Sequence, residues 1–275
     1  MDVHLMNNKS KKYSRLDLVI EAFRLSKSKR SQVTFFIIIA LIIIVVIAIF
    51  FSIKHPVTIQ TPDLSNPQAF IESCTREATQ EAVDRINRNG GDIEPKGYVR
   101  YGGEEIVYLC FNGVYYRYCV NQRPLLVEHI ENEITNFITP RIKECFSTLE
   151  SRYKRTYDLE TGEMTLGTRL YPDQVIVKIN KKFKISKGDN VREFDVFKMT
   201  MISPVFNFAE IAMEIVNQEA IYCHFDDVCY MFLHPRFDIS SALTGNSDHI
   251  YFIKERTTDQ EFRFATRSCL LPPGF

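Results

Sequence analysis

Between Val33 and Ile53 the chain runs for 21 residues without a charged side chain, and 17 of these are Ile, Val, Leu or Phe. A helix advances ~1.5 Å per residue, so a run of this length covers the ~30 Å hydrocarbon core of a bilayer. Each central apolar residue favours insertion by about 0.3 to 0.6 kcal/mol. A helix buried in a soluble core would keep a polar face, and this run has none. The pattern predicts a transmembrane helix over residues 33–53, with the lipid bilayer as first partner.

Charge predicts the orientation. Residues 1–32 carry eight basic side chains (Lys9, Lys11, Lys12, Arg15, Arg24, Lys27, Lys29, Arg30) against Asp2, Asp17 and Glu21. From Lys54 to Phe70 only Lys54 and Asp63 are charged. The positive-inside bias places the amino terminus in the cytoplasm and residues 54–275 outside. A removable secretory signal would have a shorter apolar region followed by small residues. Here Phe50-Phe51-Ser52-Ile53-Lys54 follows, so the run reads as an anchor. The net charge of zero also divides. Taking the first 32 residues from the totals of 34 basic and 34 acidic leaves 26 and 31. A mildly acidic exterior argues against nucleic acid as a partner.

All seven cysteines lie beyond the apolar run, as expected of an oxidising exterior. Residues 66–89 read as a helix, with Asn66 as cap, Pro67 in the first turn and Gly90-Gly91 as the stop. A second helix is predicted from Pro124 to about Tyr153. Packed antiparallel, the two bring Cys74 to Cys145, and a disulfide is expected there. Asn112-Gly113 signals a two-residue hairpin turn within residues 104–121. That register leaves Cys110 and Cys119 on the order of 13 Å apart along the strands, which disfavours a bridge between them. A three-residue turn at Phe225-Asp226-Asp227 sets Cys223 opposite Cys229, a second expected bridge. The odd count leaves one cysteine free or paired between chains.

Residues 54–65, with Pro56 and Pro62, read as a stalk. Helix, hairpin and helix fill 66–153, and a strand-rich part fills 154–275. Its predicted strands are 155–159 and 164–170 about a Glu160-Thr161-Gly162 turn, then 174–179 continuing through 182–186, and 193–202. A helix over 206–219 and closing strands at 230–233, 249–254 and 261–266 complete it. The expected fold class is α+β: an N-terminal transmembrane helix and an extracytoplasmic domain with two long helices, a hairpin and a mainly antiparallel sheet region.

Chemistry is sparse. Cys223-His224-Phe225-Asp226-Asp227-Val228-Cys229 holds zinc-ligand types, but no second ligand pair accompanies it, and an exposed polar turn explains it better. Ser247-Asp248-His249 has triad residue types at adjacent positions, which cannot supply triad geometry by themselves. Glu128, Glu131 and Glu133 with His129 read as a solvated helix face. No phosphate loop, dinucleotide fingerprint or hydrolase motif is present, so no catalytic residue, metal or cofactor is assigned. Tyr98, Tyr101, Tyr108, Tyr115, Tyr116 and Tyr118 cluster about the hairpin. Those not used in packing form the expected surface for a protein or cell-surface partner.

Lys29-Arg30-Ser31-Gln32-Val33-Thr34-Phe35-Phe36 before the Ile-rich run resembles the class III (type IV pilin-like) signal segment of archaeal surface proteins. With Cys74, Gly90-Gly91, Cys145 and Phe262-Arg263-Phe264-Ala265, the chain resembles a group of uncharacterised archaeal single-pass membrane proteins. The pilin resemblance implies cleavage between Ser31 and Gln32 and self-association through the apolar helix. Pilins usually carry Glu five residues after the cut, where this chain has Phe36. The leading expectation is a non-enzymatic, membrane-anchored surface protein for recognition, adhesion or envelope structure. A minor pilin-like subunit and an extracytoplasmic enzyme or metal-binding domain are the alternatives, and self-association through an unpaired Cys is compatible with each.

Overall fold

Asn66 opens the helix that follows it as the sequence predicts: its side-chain Oδ1 accepts from the Gln68 and Ala69 amides at 3.1 and 3.4 Å. The computed structural model describes residues 37–44 and 66–272. Residues 37–44 are helical and exposed, and the rest of the 33–53 run lies outside the described residues, as do residues 1–32, the stalk and the Ser31–Gln32 bond. Among the described residues no helix is long and apolar enough to cross a membrane. Residues 66–272 lie in one compact unit.

Helix α1 (Pro67–Asn89) is followed by β1 (Tyr98–Tyr101), β2 (Glu104–Phe111), β3 (Val120–Asn121) and helix α2 (Leu126–Tyr153). Strands β4 (Asp158–Thr161), β5 (Thr165–Tyr171), β6 (Gln174–Lys187) and β7 (Asn190–Ile202) come next. Helices α3 (Val205–Tyr222) and α4 (Asp227–Leu233) precede β8 (Phe237–Leu243), β9 (His249–Glu255) and β10 (Glu261–Arg267). The fold class is α+β.

Two sheets share the core. The first runs β1-β2-β10-β9-β8, with β3 on β2. Its β2–β10 pairing is parallel and its other pairings are antiparallel. The second is built on the long β6, which pairs with β4 and β5 along one edge and β7 along the other. The predicted hairpin between β4 and β5 therefore does not form: both strands turn to β6, whose alternating Val175, Val177, Ile179, Phe183 and Ile185 are buried. Helix α1 buries a broad stripe (Phe70, Ile71, Ala78, Ala82, Val83, Ile86) and packs on α2, β2, β7 and β10. Its buried Thr75 and Thr79 hydroxyls donate to carbonyls one turn back, so burial leaves neither unsatisfied.

Gly90 ends α1 with φ 81°, and a Cβ there would lie 3.1 Å from the Arg263 carbonyl oxygen. Only glycine permits both the left-handed stop and this close approach to the first sheet. A turn at Gly102-Gly103, with both φ positive, joins β1 to β2.

Three disulfides join Cys74 to Cys145, Cys110 to Cys119, and Cys223 to Cys269. The second and third correct the sequence reading. Strand β2 stops at Phe111 and the chain does not turn at Asn112-Gly113. An eight-residue loop follows instead, so Cα110 and Cα119 come within 5.4 Å. Asn112 bends the loop through its own side chain, which accepts from the Val114 amide at 3.0 Å. Cys223 does not meet Cys229, because the segment between them is not a strand turn. Asp226 caps α4 by accepting from the Cys229 amide at 2.9 Å, and the helix carries Cys229 out to solvent as a free, exposed thiol. The predicted strand over 230–233 is thus helix, and β8 escapes the sequence pattern because only Phe237 and Ile239 alternate before Ser240-Ser241.

Candidate recognition surface

The loop between β2 and β3 is the most densely aromatic exposed segment of the described chain. Phe111, Val114, Tyr115, Tyr116, Tyr118 and Val120 are all exposed, with Tyr116 at 60%. A loop of this composition would be expected to wander, yet this one is held from several directions. The Cys110–Cys119 bridge closes its base. Backbone hydrogen bonds tie it to the segment after β10: Asn112 N to Arg267 O at 2.9 Å, Tyr116 N to Leu270 O at 3.0 Å, and Cys269 N to Arg117 O at 2.9 Å. The Cys119 amide donates to Ser268 Oγ, which itself donates to the Glu219 carbonyl on α3. Cys269 is in turn bridged to Cys223 at the end of α3. Large, rigid side chains on a loop already fixed lose little entropy on binding, and that is what an aromatic contact surface requires.

The six tyrosines of the sequence pattern divide three ways. Tyr115, Tyr116 and Tyr118 stand on the loop. Tyr98 and Tyr101 sit on the edge strand β1, three residues apart and so on opposite faces. Tyr108 is half-buried, and its hydroxyl donates to the buried Asp248 at 2.9 Å. Burial first, then the Asp248 carboxylate, push the Tyr108 hydroxyl pKa above its ordinary value, so it stays a donor. Tyr108 also meets Phe111 edge-on, with Arg267 above the Phe111 ring at 5.8 Å. The outer face of the first sheet thereby continues from the loop through Tyr108, over a small cluster of Ile106, Ile250 and Ala265, to Phe252 and Tyr101.

Beneath the loop the inner face of β9 carries a polar tie. Glu219 of α3 is buried; its carboxylate accepts from the Tyr251 hydroxyl and lies 3.2 Å from His249 Nδ1. The hydrogen bond to Glu219 raises the His249 pKa, against the opposing effect of burial. Burial first, then the Glu219 charge, raise the Tyr251 pKa. Among the described residues no Ser, Thr or Cys side chain hydrogen-bonds to His249. The tie fastens α3 to β9. Asp248 points away to Tyr108 and Thr244, so the Ser247-Asp248-His249 neighbours do not converge.

A second concave region holds residues that the sequence reading assigned to a solvated helix face. His129 Nε2 lies 2.6 Å from the buried Asp92, which Arg123 also binds at 3.0 Å. Burial works against Asp92 ionising, but the hydrogen bonds from His129 and Arg123 outweigh it and hold its pKa below the ordinary value. Glu133 accepts from the Ile93 amide at 2.8 Å, and Glu131 is buried and accepts from the Leu170 amide at 2.8 Å. These carboxylates are hooks between α2 and its neighbours, recruited by backbone amides that would otherwise be unsatisfied. The open cavity beside them, about 410 Å³, is lined by Asp92, Lys96, Arg123, His129, Glu133 and Phe137.

Among the described residues no group of three or more His, Cys, Asp or Glu side chains is placed to hold a metal ion. The Cys223 to Cys229 segment loses one sulfur to Cys269 and presents the other to solvent. Comparison with protein-family models, with curated protein sequences and with solved structures gives no match.

Proposed function

We propose that this chain is a single-pass, membrane-anchored extracytoplasmic surface protein, non-enzymatic, whose aromatic loop between Phe111 and Val120 recognises a protein or another cell-surface component. The observation that carries the reading is the combination of exposed Tyr115, Tyr116 and Tyr118 with a loop fastened by two disulfides. Paired cysteines suit an oxidising compartment, and the apolar run with its basic flank supplies the anchor and the direction.

A photo-crosslinking amino acid at Tyr116 of the full chain, in its native membrane, tests the recognition surface against the same probe at exposed Lys198. Adducts at Tyr116 and none at Lys198 are expected. Equal capture at both, or none at Tyr116, would overturn the assignment. The Lys29-Arg30-Ser31-Gln32-Val33-Thr34 junction favours a second reading, a minor pilin-like subunit cut between Ser31 and Gln32. Mature protein beginning at Gln32 would select it, and mature protein that keeps Met1 would remove it.

A further inference from the structure

Helix α4 reads Asp-Val-Cys-Tyr-Met-Phe-Leu, apolar on every side after its first residue. A helix apolar all round is ordinarily covered all round. Here Tyr230 and Met231 pack against the core, yet no residue of the helix is buried. Its outer side presents Val228, Cys229, Phe232 and Leu233, with Phe232 at 85% exposure, and Ile221 and Tyr222 from the end of α3 are exposed as well. Residues at i, i+4 and i, i+3 share a face, so Val228, Cys229, Phe232 and Leu233 form one stripe. Val228, Phe232 and Leu233 are each at least two-thirds exposed, and with Ile221 and Tyr222 they make a contiguous apolar face of the kind that marks a protein–protein contact.

We propose that this patch is a homodimer interface, with α4 of one protomer packed on α4 of its partner about a two-fold axis and Cys229 bridged to its own copy. Two features favour a second copy as occupant. In a two-fold contact a residue on the axis meets itself, which gives the single unpaired thiol among seven an identical thiol as partner. The surroundings are also acidic: Asp226 and Asp227 open the helix, and burial, then Glu214 and Glu210, raise the Tyr230 pKa. Such a border suits a bilayer with anionic headgroups poorly. Anchoring of both protomers in one membrane would raise their effective concentration.

The covalent step is thiol–disulfide exchange with an extracytoplasmic dithiol oxidant in its disulfide form. The Cys229 thiolate of one protomer attacks that disulfide, forming a mixed disulfide and expelling one thiolate. The partner's Cys229 thiolate then attacks the Cys229 sulfur, forming the inter-chain bond and expelling the second. Two protein thiols are oxidised, one disulfide is reduced to two thiols, and the two protons pass to the leaving thiolates.

This inference rests on the extracytoplasmic reading for its bridge but not for its apolar contact, and the two are tested separately. Intact cells are treated with a membrane-impermeant maleimide, and the full chain is run without reductant. A band at twice the 32.0 kDa chain is expected, lost on reduction and absent in Cys229→Ser. Monomer whose Cys229 is labelled from outside would overturn the bridge, whereas labelling only after lysis would overturn the extracytoplasmic placement. Independently, the full chain in detergent under reductant is expected to be dimeric, and Phe232→Asp to weaken the dimer roughly tenfold or more. A monomeric wild type, or a Phe232→Asp dimer of unchanged affinity, would overturn the interface and leave a lipid or another protein as occupant.

Discussion

Removal of the Cys74–Cys145 bridge is a direct test of how the helical pair contributes to stability. The two cysteines are 71 residues apart in sequence. Closing a loop of that length removes enough unfolded-state entropy to stabilise the fold by about 4 kcal/mol, against about 2.5 kcal/mol for the nine-residue separation of Cys110 and Cys119. Cys74 and Cys145 are both only half-buried, so truncating them to Ala adds little cavity cost. For a unit of this size the loss corresponds to a fall of roughly 8 to 16 °C in Tm. Urea unfolding of residues 61–275, wild type against Cys74→Ala/Cys145→Ala, measures it. Two signatures are expected together: a lower midpoint and a steeper slope, because the uncrosslinked unfolded chain exposes more surface. A loss below about 1 kcal/mol, or an unchanged slope, would refute the loop-closure reasoning.

Further outcomes can be checked in the same unit. The raised His249 pKa gives stability that is fully present below its ordinary value of 6.5 and is lost as pH rises through the folded-state value. Tm should therefore decline as pH rises above about 6.5, and the decline should flatten in His249→Asn. Glu131→Ala leaves the Leu170 amide without its acceptor and should cost about 2 kcal/mol by urea unfolding, with Glu131→Gln recovering part of it. Gly91 sits at φ 104°, with a Cβ position 3.0 Å from Leu126 Cδ1, so Gly91→Ala should cost about 1 to 3 kcal/mol in the same assay. Replacing Tyr115 and Tyr118 together by Ser should leave stability within about 0.5 kcal/mol of wild type, while sharply reducing adduct formation by the photo-crosslinking residue at position 116.

The long helices were readable because their signals are local. Asn66, Pro67, the four-residue spacing of Phe70, Cys74, Ala78, Ala82 and Ile86, and Gly90 all act within a turn or two, and α1 begins and ends where they say. Antiparallel packing of α1 on α2 then follows, with Cys74 beside Cys145. The strand read over 230–233 failed for a local reason, the Asp226 cap that starts α4, whereas the other misreadings come from a distant partner that outweighs a local signal. Asn112-Gly113 is a strong turn pair, but the backbone of residues 267–270 captures the loop that follows it. Cys223 has a cysteine six positions away, but Cys269 reaches it across the fold. Glu131, Glu133 and His129 look like a wet helix face because their receivers, Leu170, Ile93 and Asp92, lie on other elements. The aromatic richness of the candidate surface was visible in the residues; its rigidity was not, because the ties that supply it come from the far end of the chain.

The parallel union of β2 with β10 sets an order of assembly. Tyr108 pairs with Ala265, so the second strand of the first sheet waits for the tenth. In a chain that emerges amino end first, β2 has β1 and β3 on one side and an open edge on the other until nearly everything else is made. Open edges of this kind recruit strands from neighbouring chains. The Cys110–Cys119 bridge can form during that wait, since it needs only its own loop, but Cys223–Cys269 cannot form before the last strand arrives. Oxidation of Cys223 and Cys269 is thus a timestamp for completion. A chain stalled before β10 would leave Cys223 reduced beside the free Cys229, the configuration in which a wrong local bridge would trap an unfinished sheet.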